Sequence, residues 1–252
     1  MTMPGPDVTP NIHDLAFVKG LFDEMAGTYE RVNFITSFGF SRRWRRQFIQ
    51  KLALQPGMTV CDLMCGMGEC WTAVRHGLRD EGRILALDIS NGMLHGALRN
   101  RPKLGQIAIT VSRQDACSTS LPAESVDCVM AGFGLKTLSD GQLATLFQEV
   151  RRILKPGGVF SFVEVSVPSN QFLKKPYMFY LKRIIPLVGR LLRGNPSNYR
   201  YLGIYSERFG NCRRVMPLLA NEGLVAEYHD YFMGCATGVS GHKPAATSSI
   251  EA

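Results

Sequence analysis

The sequence predicts an α/β fold built on a doubly wound, mostly parallel sheet of seven strands. Three observations predict it. Short apolar runs ending in glycines or turns recur along the 252 residues, and an interval of helical spacing separates most of them. A glycine-bearing loop, "MCGMGE", follows the first run. Strands and helices alternating in this way form βαβ units, which bury a parallel sheet between helices and bind ligands at the carboxyl ends of its strands.

The elements follow in order. From Asp14 the apolar positions Leu15, Val18, Leu21, Phe22 and Met25 keep helical spacing, and Phe48, Ile49 and Leu52 resume it after an arginine cluster. Residues 13–55 therefore read as a helical cover. "QPGMTVCDLMCG" is a turn, a buried strand and a loop. "RILALDIS" and "IAITVSRQDA" supply the second and third strands, and "SVDCVMAGFG" the fourth. Asp140 is expected to cap a helix whose Leu143, Leu146, Phe147, Val150, Ile153 and Leu154 share one face. "KPGG" stops that helix and turns it into the fifth strand, "VFSFVEVS". Residues 170–205 are aromatic, basic and helical, with a kink expected at Pro186, and read as a lid inserted in the domain. A helix from Ser206 to Glu222 and two strands, "LVAEYHDYF" and "CATGVSGHK", close the sheet. One domain, 13–244, is expected, with disordered ends at 1–12 and 245–252.

Composition narrows the class. With 45% apolar and 20% charged residues the chain can bury a full core. It has no apolar run of membrane-spanning length and no signal-like start. Seven cysteines, an odd number at irregular spacing, read as free thiols in a reducing, cytoplasmic setting. The net charge of +8 is concentrated in two places. Arg42, Arg43, Arg45 and Arg46 form one, and Lys174, Lys175, Lys182, Arg183, Arg190, Arg193 and Arg200 form the other with no acid between them. An anionic partner would go to these segments, and peripheral contact with an anionic membrane is one such expectation; a solvated surface explains the excess equally well.

The glycine loop carries the chemistry. Glycines after a first strand let a ligand approach the backbone, and Asp88, 22 positions beyond Gly66, can accept both hydroxyls of a ribose. A dinucleotide pyrophosphate would want a third glycine where Trp71 stands. S-adenosylmethionine has the ribose and adenine without phosphate, and fits better than NAD. Zinc is the rival for Cys61, Cys65 and Cys70, but their spacing is not C-x₂-C and no histidine lies in register, so no metal is expected.

The runs "VCDLMCGMGE", "ALDIS", "RQDACSTSLP", "VDCVMAGFGLKTLSD" and "VRRILKPGGVFSFVEVSVP", with "FDEMAGTYERVNFITSFGFSRRWRR" before them and "NYRYL" after, resemble a class I S-adenosylmethionine-dependent methyltransferase. The chain is most similar to the ubiquinone/menaquinone biosynthesis C-methyltransferases, the UbiE/MenG family, over roughly residues 20 to 243. The resemblance implies a Rossmann-like sheet and a cofactor set of Gly66, Met67, Gly68, Asp88, Asp115, Ala116 and Gly132, which Asp62 and Ile89 complete. It places the transferred methyl near Phe133, covered by Tyr29 and Asn33. If the acceptor is a ring carbon beside a phenol, a base or cation is needed, for which Arg200, Tyr201, Glu164 and His242 are the candidates.

Three departures stand out. Met67 replaces the family's threonine, "FGLKT" its "FGLRN", and "GIYSERF" its Glu-Ser-Ile. The cofactor half is intact and the acceptor half has drifted. The expected acceptor is a small aromatic, quinone-like or otherwise hydroxylated; O- or N-methylation of a specialised natural product is the alternative. Nucleic acid is disfavoured as a partner because "AGFGL" lacks the Asn/Asp-Pro-Pro-aromatic motif that holds a flipped base. An inactive cofactor-binding scaffold is the remaining reading.

Overall fold

The computed structural model describes residues 11–101 and 107–245. Seven strands form one sheet: β1 (Thr59–Leu63), β2 (Arg83–Asp88), β3 (Ala108–Arg113), β4 (Val126–Gly132), β5 (Leu154–Val165), β6 (Val225–Tyr231) and β7 (Ala236–His242). Their order is β3-β2-β1-β4-β5-β7-β6, with β1 to β5 parallel and β7 antiparallel to both its neighbours. The order reverses between β1 and β4, and at such a switch point the flanking loops part to leave a crevice.

Helices α1 (Leu15–Met25), α2 (Tyr29–Thr36) and α3 (Phe40–Gln50) precede the sheet. α4 (Trp71–Leu78), α5 (Asn91–Asn100) and α6 (Asp140–Ile153) are its crossovers. Every residue of β1 is buried, as a central parallel strand covered on both faces requires. Trp44, Phe48 and Trp71 cover one face, and Leu143, Phe147, Phe160 and Phe162 fill the other. A third apolar cluster joins Val18, Leu21 and Val32 of the cover to Leu181, Ile185 and Tyr199, which lie between residues 181 and 199.

The segment expected to be a lid, and called the lid below, holds α7 (Gln171–Phe179), a widened π turn at Tyr180–Ile184 and α8 (Ile185–Leu191); α9 (Pro196–Phe209) follows. The π turn ends two residues before Pro186, whose missing N–H leaves the helical ladder one donor short there.

Several expectations change. Ser139, not Asp140, caps α6: its hydroxyl accepts from the Gln142 N–H while the Gln142 side chain accepts from the Ser139 N–H. Asp140, the first residue of the helix, binds the Arg214 guanidinium. The helix expected over 206–222 is two, α9 and α10 (Met216–Asn221), because the chain turns at Gly210 with φ of +72°. β5 starts at Leu154, taking "KPGG" into the strand. Ile12 is buried, and its carbonyl accepts from the Tyr205 hydroxyl, so order begins before residue 13. The disorder expected for 1–10 and 246–252 lies outside the described residues. Among the described residues no helix is long and apolar enough to cross a membrane.

Candidate functional site

The carboxyl ends of β1, β2 and β4 open into a cleft of about 910 Å³, counting its mouth. Asp62, Gly66, Asp88, Ile89, Asp115, Ala116 and Gly132 all line it. Asp88 is fixed from two sides: the Gly66 N–H donates to its Oδ2 and the Ser90 N–H to its Oδ1, each at 2.9 Å. Gly66 presents its amide with φ of +56°, a conformation that suits glycine. Burial pushes the Asp88 carboxyl up to about 6, against the pull of these backbone donors.

Trp71 explains the absent third glycine. Its ring lies against Gly68, where an added Cβ would sit 2.5 Å from a ring carbon, and its Nε1 donates to Asp62 Oδ2 at 2.9 Å. Burial lifts the Asp62 carboxyl to about 8, with the nearby charges of Glu69 and Asp88 adding to the rise.

Met67 and Gly68 stand behind the cleft, contrary to expectation. Met67 turns onto α5, where its Cε would lie 2.4 Å from a Cβ at Gly96, and its carbonyl accepts from Asn100 Nδ2 at 3.0 Å. Both residues shape the loop without facing the ligand space.

Beyond this cleft lies an apolar chamber of about 1170 Å³ under α2, α3 and the lid. The two spaces share three wall residues, Tyr29, Arg45 and Phe133. Asn33 lines the chamber only. Phe133 is held by its N–H, which donates to the Val163 carbonyl at 2.8 Å, in a left-handed conformation (φ +68°) that is strained for a bulky residue. Two cations flank its ring: the Arg45 guanidinium at 5.1 Å from the centroid and the Lys136 ammonium at 6.0 Å. Each cation has a carboxylate partner. Arg45 Nη2 lies 3.1 Å from Glu69 Oε1, and Lys136 Nζ donates to Glu164 Oε1 at 2.5 Å. Burial raises the Tyr29 phenol, with the Glu69 charge adding, so this wall residue stays neutral.

Of the four residues expected to help catalysis, none lines either space. Glu164 is fully buried, where it accepts from Lys136 Nζ, the Lys136 N–H and the Val165 N–H. Arg200 points to solvent from α9. Tyr201 packs edge-on against Phe17, with centroids 5.1 Å apart. His242 is exposed and pairs in register with Val159, at the amino end of the parallel strands, because β7 runs antiparallel to β5. Among the described residues, the lysines and arginines that line the apolar chamber are Arg45 and Lys136. Arg45 was legible in its helical phase, since Ser41, Trp44, Arg45, Phe48 and Ile49 form the buried stripe of α3 while Arg42, Arg43 and Arg46 face water.

The cysteines of the loop separate. Cys61 belongs to the core on the opposite sheet face from Cys65 and Cys70. Burial raises all three thiols, which stay protonated. Among the described residues no group of three or more His, Cys, Asp or Glu side chains could hold a metal.

Residues 11–243 match the model of the ubiE/COQ5 methyltransferase family. The chain is 30% identical to a demethylmenaquinone methyltransferase of Desulfitobacterium hafniense, over 91% of this chain and 90% of the relative. It is 33% identical to a ubiquinone/menaquinone biosynthesis C-methyltransferase UbiE of Hydrogenovibrio crunogenus, over 73% and 72%. Its fold matches a SAM-dependent methyltransferase of Thermotoga maritima, described as a possible histamine N-methyltransferase, with a TM-score of 0.61 at 17% identity, covering 89% of this chain and 99% of that one.

Proposed function

Because the chain belongs to the ubiE/COQ5 methyltransferase family and is an S-adenosylmethionine-dependent methyltransferase, we propose that its acceptor is a small hydroxylated aromatic, a quinol-like ring methylated on carbon. The observation that carries this reading is the shared wall: a polar cleft and an apolar chamber meet at Tyr29, Arg45 and Phe133. Both relatives described above are named for quinone methylation, which supports the same class.

The cleft suits the cofactor chemically. Asp88 would take the ribose hydroxyls, Asp115 and Ala116 the adenine end, and Asp62 with Gly66 the methionine end. S-adenosylmethionine supplies a methyl group already activated on a sulfonium, so the protein has mainly to align the acceptor and exclude water. Phe133 and Tyr29 would hold the ring face-on at the junction. Arg45 and Lys136 place positive charge beside the ring, favouring a phenolate whose oxygen pushes electron density onto the reacting carbon. That carbon would take the methyl as the C–S bond breaks and the sulfonium leaves as a neutral thioether, and its proton would pass to solvent, so that one proton is released per turnover. The enclosed, mainly apolar lining favours a small molecule over a nucleic acid, and seven free cysteines favour the reducing cytoplasm.

The departures at Lys136 and Thr137 favour one second reading, O- or N-methylation of a specialised natural product. Incubation with methyl-labelled S-adenosylmethionine and a panel of reduced naphthoquinols, benzoquinols and phenolic or heteroaromatic amines distinguishes them. A product whose label sits on a ring carbon in the mass and NMR spectra supports the quinol reading. Label on oxygen or nitrogen alone, or no turnover of any quinol by protein that binds the cofactor, overturns it.

A further inference from the structure

The lid has two apolar faces, where a solvated lid needs one. Met178, Leu181 and Ile185 point inward to the core. Phe172, Lys175, Phe179, Arg183, Leu187 and Leu191 are all exposed, Phe172 at 93%, and follow one another at spacings of three or four. Phe179 and Leu187 are eight residues apart, but the π turn at Tyr180–Ile184 takes up an extra residue, so both stay on the outward row. Alternation of large apolar and basic side chains on an outward helix face is the pattern of a helix lying in a membrane interface.

The row is continuous with the mouth of the apolar chamber. Leu173 and Tyr180, next in sequence to Phe172 and Phe179, line that chamber. So do Phe38, on the α2–α3 turn, and Phe232, on the β6–β7 turn, both exposed. Met233 beside Phe232 is 76% exposed. Phe38, Phe232 and Met233 all have positive φ, of 48°, 50° and 56°. Bulky residues rarely adopt this left-handed conformation, yet all three large apolar side chains of this rim are held in it. Cations surround them. Arg42 stacks over exposed Phe34, Lys174 and Lys175 follow Phe172, and no acidic residue occurs between Asn170 and Tyr205.

We propose that the outer face of the lid, with the turns at Phe38 and at Phe232–Met233, docks on an anionic lipid bilayer. The apolar side chains enter the interface and the lysines and arginines meet the lipid headgroups. The chamber mouth then faces the membrane, so a lipophilic acceptor enters without crossing water. This last consequence rests on the acceptor proposed above; the docking itself does not.

The test is flotation of the full chain with vesicles. At low salt the protein is expected to float with vesicles of phosphatidylcholine and phosphatidylglycerol, and to remain below with phosphatidylcholine alone. Each interfacial cation contributes roughly fivefold to binding, so Lys174→Glu with Lys175→Glu should weaken retention by roughly 25-fold or more. Phe172→Ser with Met233→Ser should weaken it comparably. None of these four residues lines the cleft or the chamber, so melting temperature and cofactor affinity should match the parent and exclude misfolding as the cause. Failure of the parent to float with anionic vesicles, equal retention by neutral ones, or parental retention by both double variants overturns the proposal.

Discussion

Arg45 Nη2 lies 3.1 Å from Glu69 Oε1, joining a helix that precedes the sheet to the loop that follows its first strand. The pair sits where the cofactor cleft meets the apolar chamber, and its side chains are only 10% and 17% exposed. It therefore sets both the position of the cover and the charge beside Phe133.

Removing one member strands the other. Glu69→Leu should cost about 3 kcal/mol in urea unfolding, while Arg45→Met with Glu69→Leu should recover most of that loss, as buried pairs replaced together often do. Methyl transfer should stay low in the double variant because the cation is gone. Recovery of turnover along with stability would remove Arg45 from the proposed chemistry.

If Asp88 takes the ribose as proposed, cofactor binding should depend on pH. Its carboxyl titrates near 6 in the fold, and the ionised form is the better acceptor for ribose hydroxyls. Affinity for S-adenosylmethionine should tighten as pH rises through about 6 and level off above it. Asp88→Ala should bind roughly 10- to 150-fold more weakly above that pH and lose the inflection. Calorimetric titration across the range checks both.

Asp62 acts on stability in the opposite sense to a salt-bridged carboxylate. Its carboxyl is raised from 3.8 to about 8, so the folded state holds a proton that the unfolded chain releases. This contribution is fully present below the unfolded value and is lost as pH rises towards about 8, with a slope of at most about 1.4 kcal/mol per pH unit. Asp62→Asn keeps an acceptor for the Trp71 N–H and removes the slope. Its stability relative to the parent should therefore increase between about pH 5 and about pH 8 in denaturant melts; parallel curves would contradict the assignment.

Two glycines of the site should respond differently to alanine. At Gly68 the new Cβ would lie 2.5–2.7 Å from the Trp71 ring, at φ of +78°, and should cost about 1–3 kcal/mol. At Gly132 it meets nothing nearer than 3.5 Å, its closest neighbours being Cys70 Sγ and the Phe48 ring of the core, so the fold should be little changed. Thermal melts should separate Gly68→Ala from the parent and leave Gly132→Ala close to it.

Much of the cofactor cleft was legible because it is built from short-range geometry. A βαβ unit fixes how far a strand-end acid lies from the preceding glycine loop, so Gly66 and Asp88 could be paired by their spacing alone. Met67 and Gly68 were misplaced because loop spacing does not say which way a residue faces; Met67 turned to fill the gap at Gly96 and Gly68 made room for Trp71. The boundary of α6 moved by one residue because Ser139 and Gln142 form a reciprocal cap that Asp140 cannot.

By itself, then, the sequence determined the alternation of strands and helices, the place of the glycine loop and of the strand-end acid Asp88, and the family. These depend on periodicity and on contacts within one βαβ unit. Tertiary structure decided which charges line the apolar chamber together. Arg45, Phe133 and Lys136 come from a helix before the sheet and a turn after its fourth strand, and long-range packing brings them to one wall. It also carried His242 to the far end of the sheet, since an antiparallel strand presents its carboxyl end where the parallel strands present their amino ends.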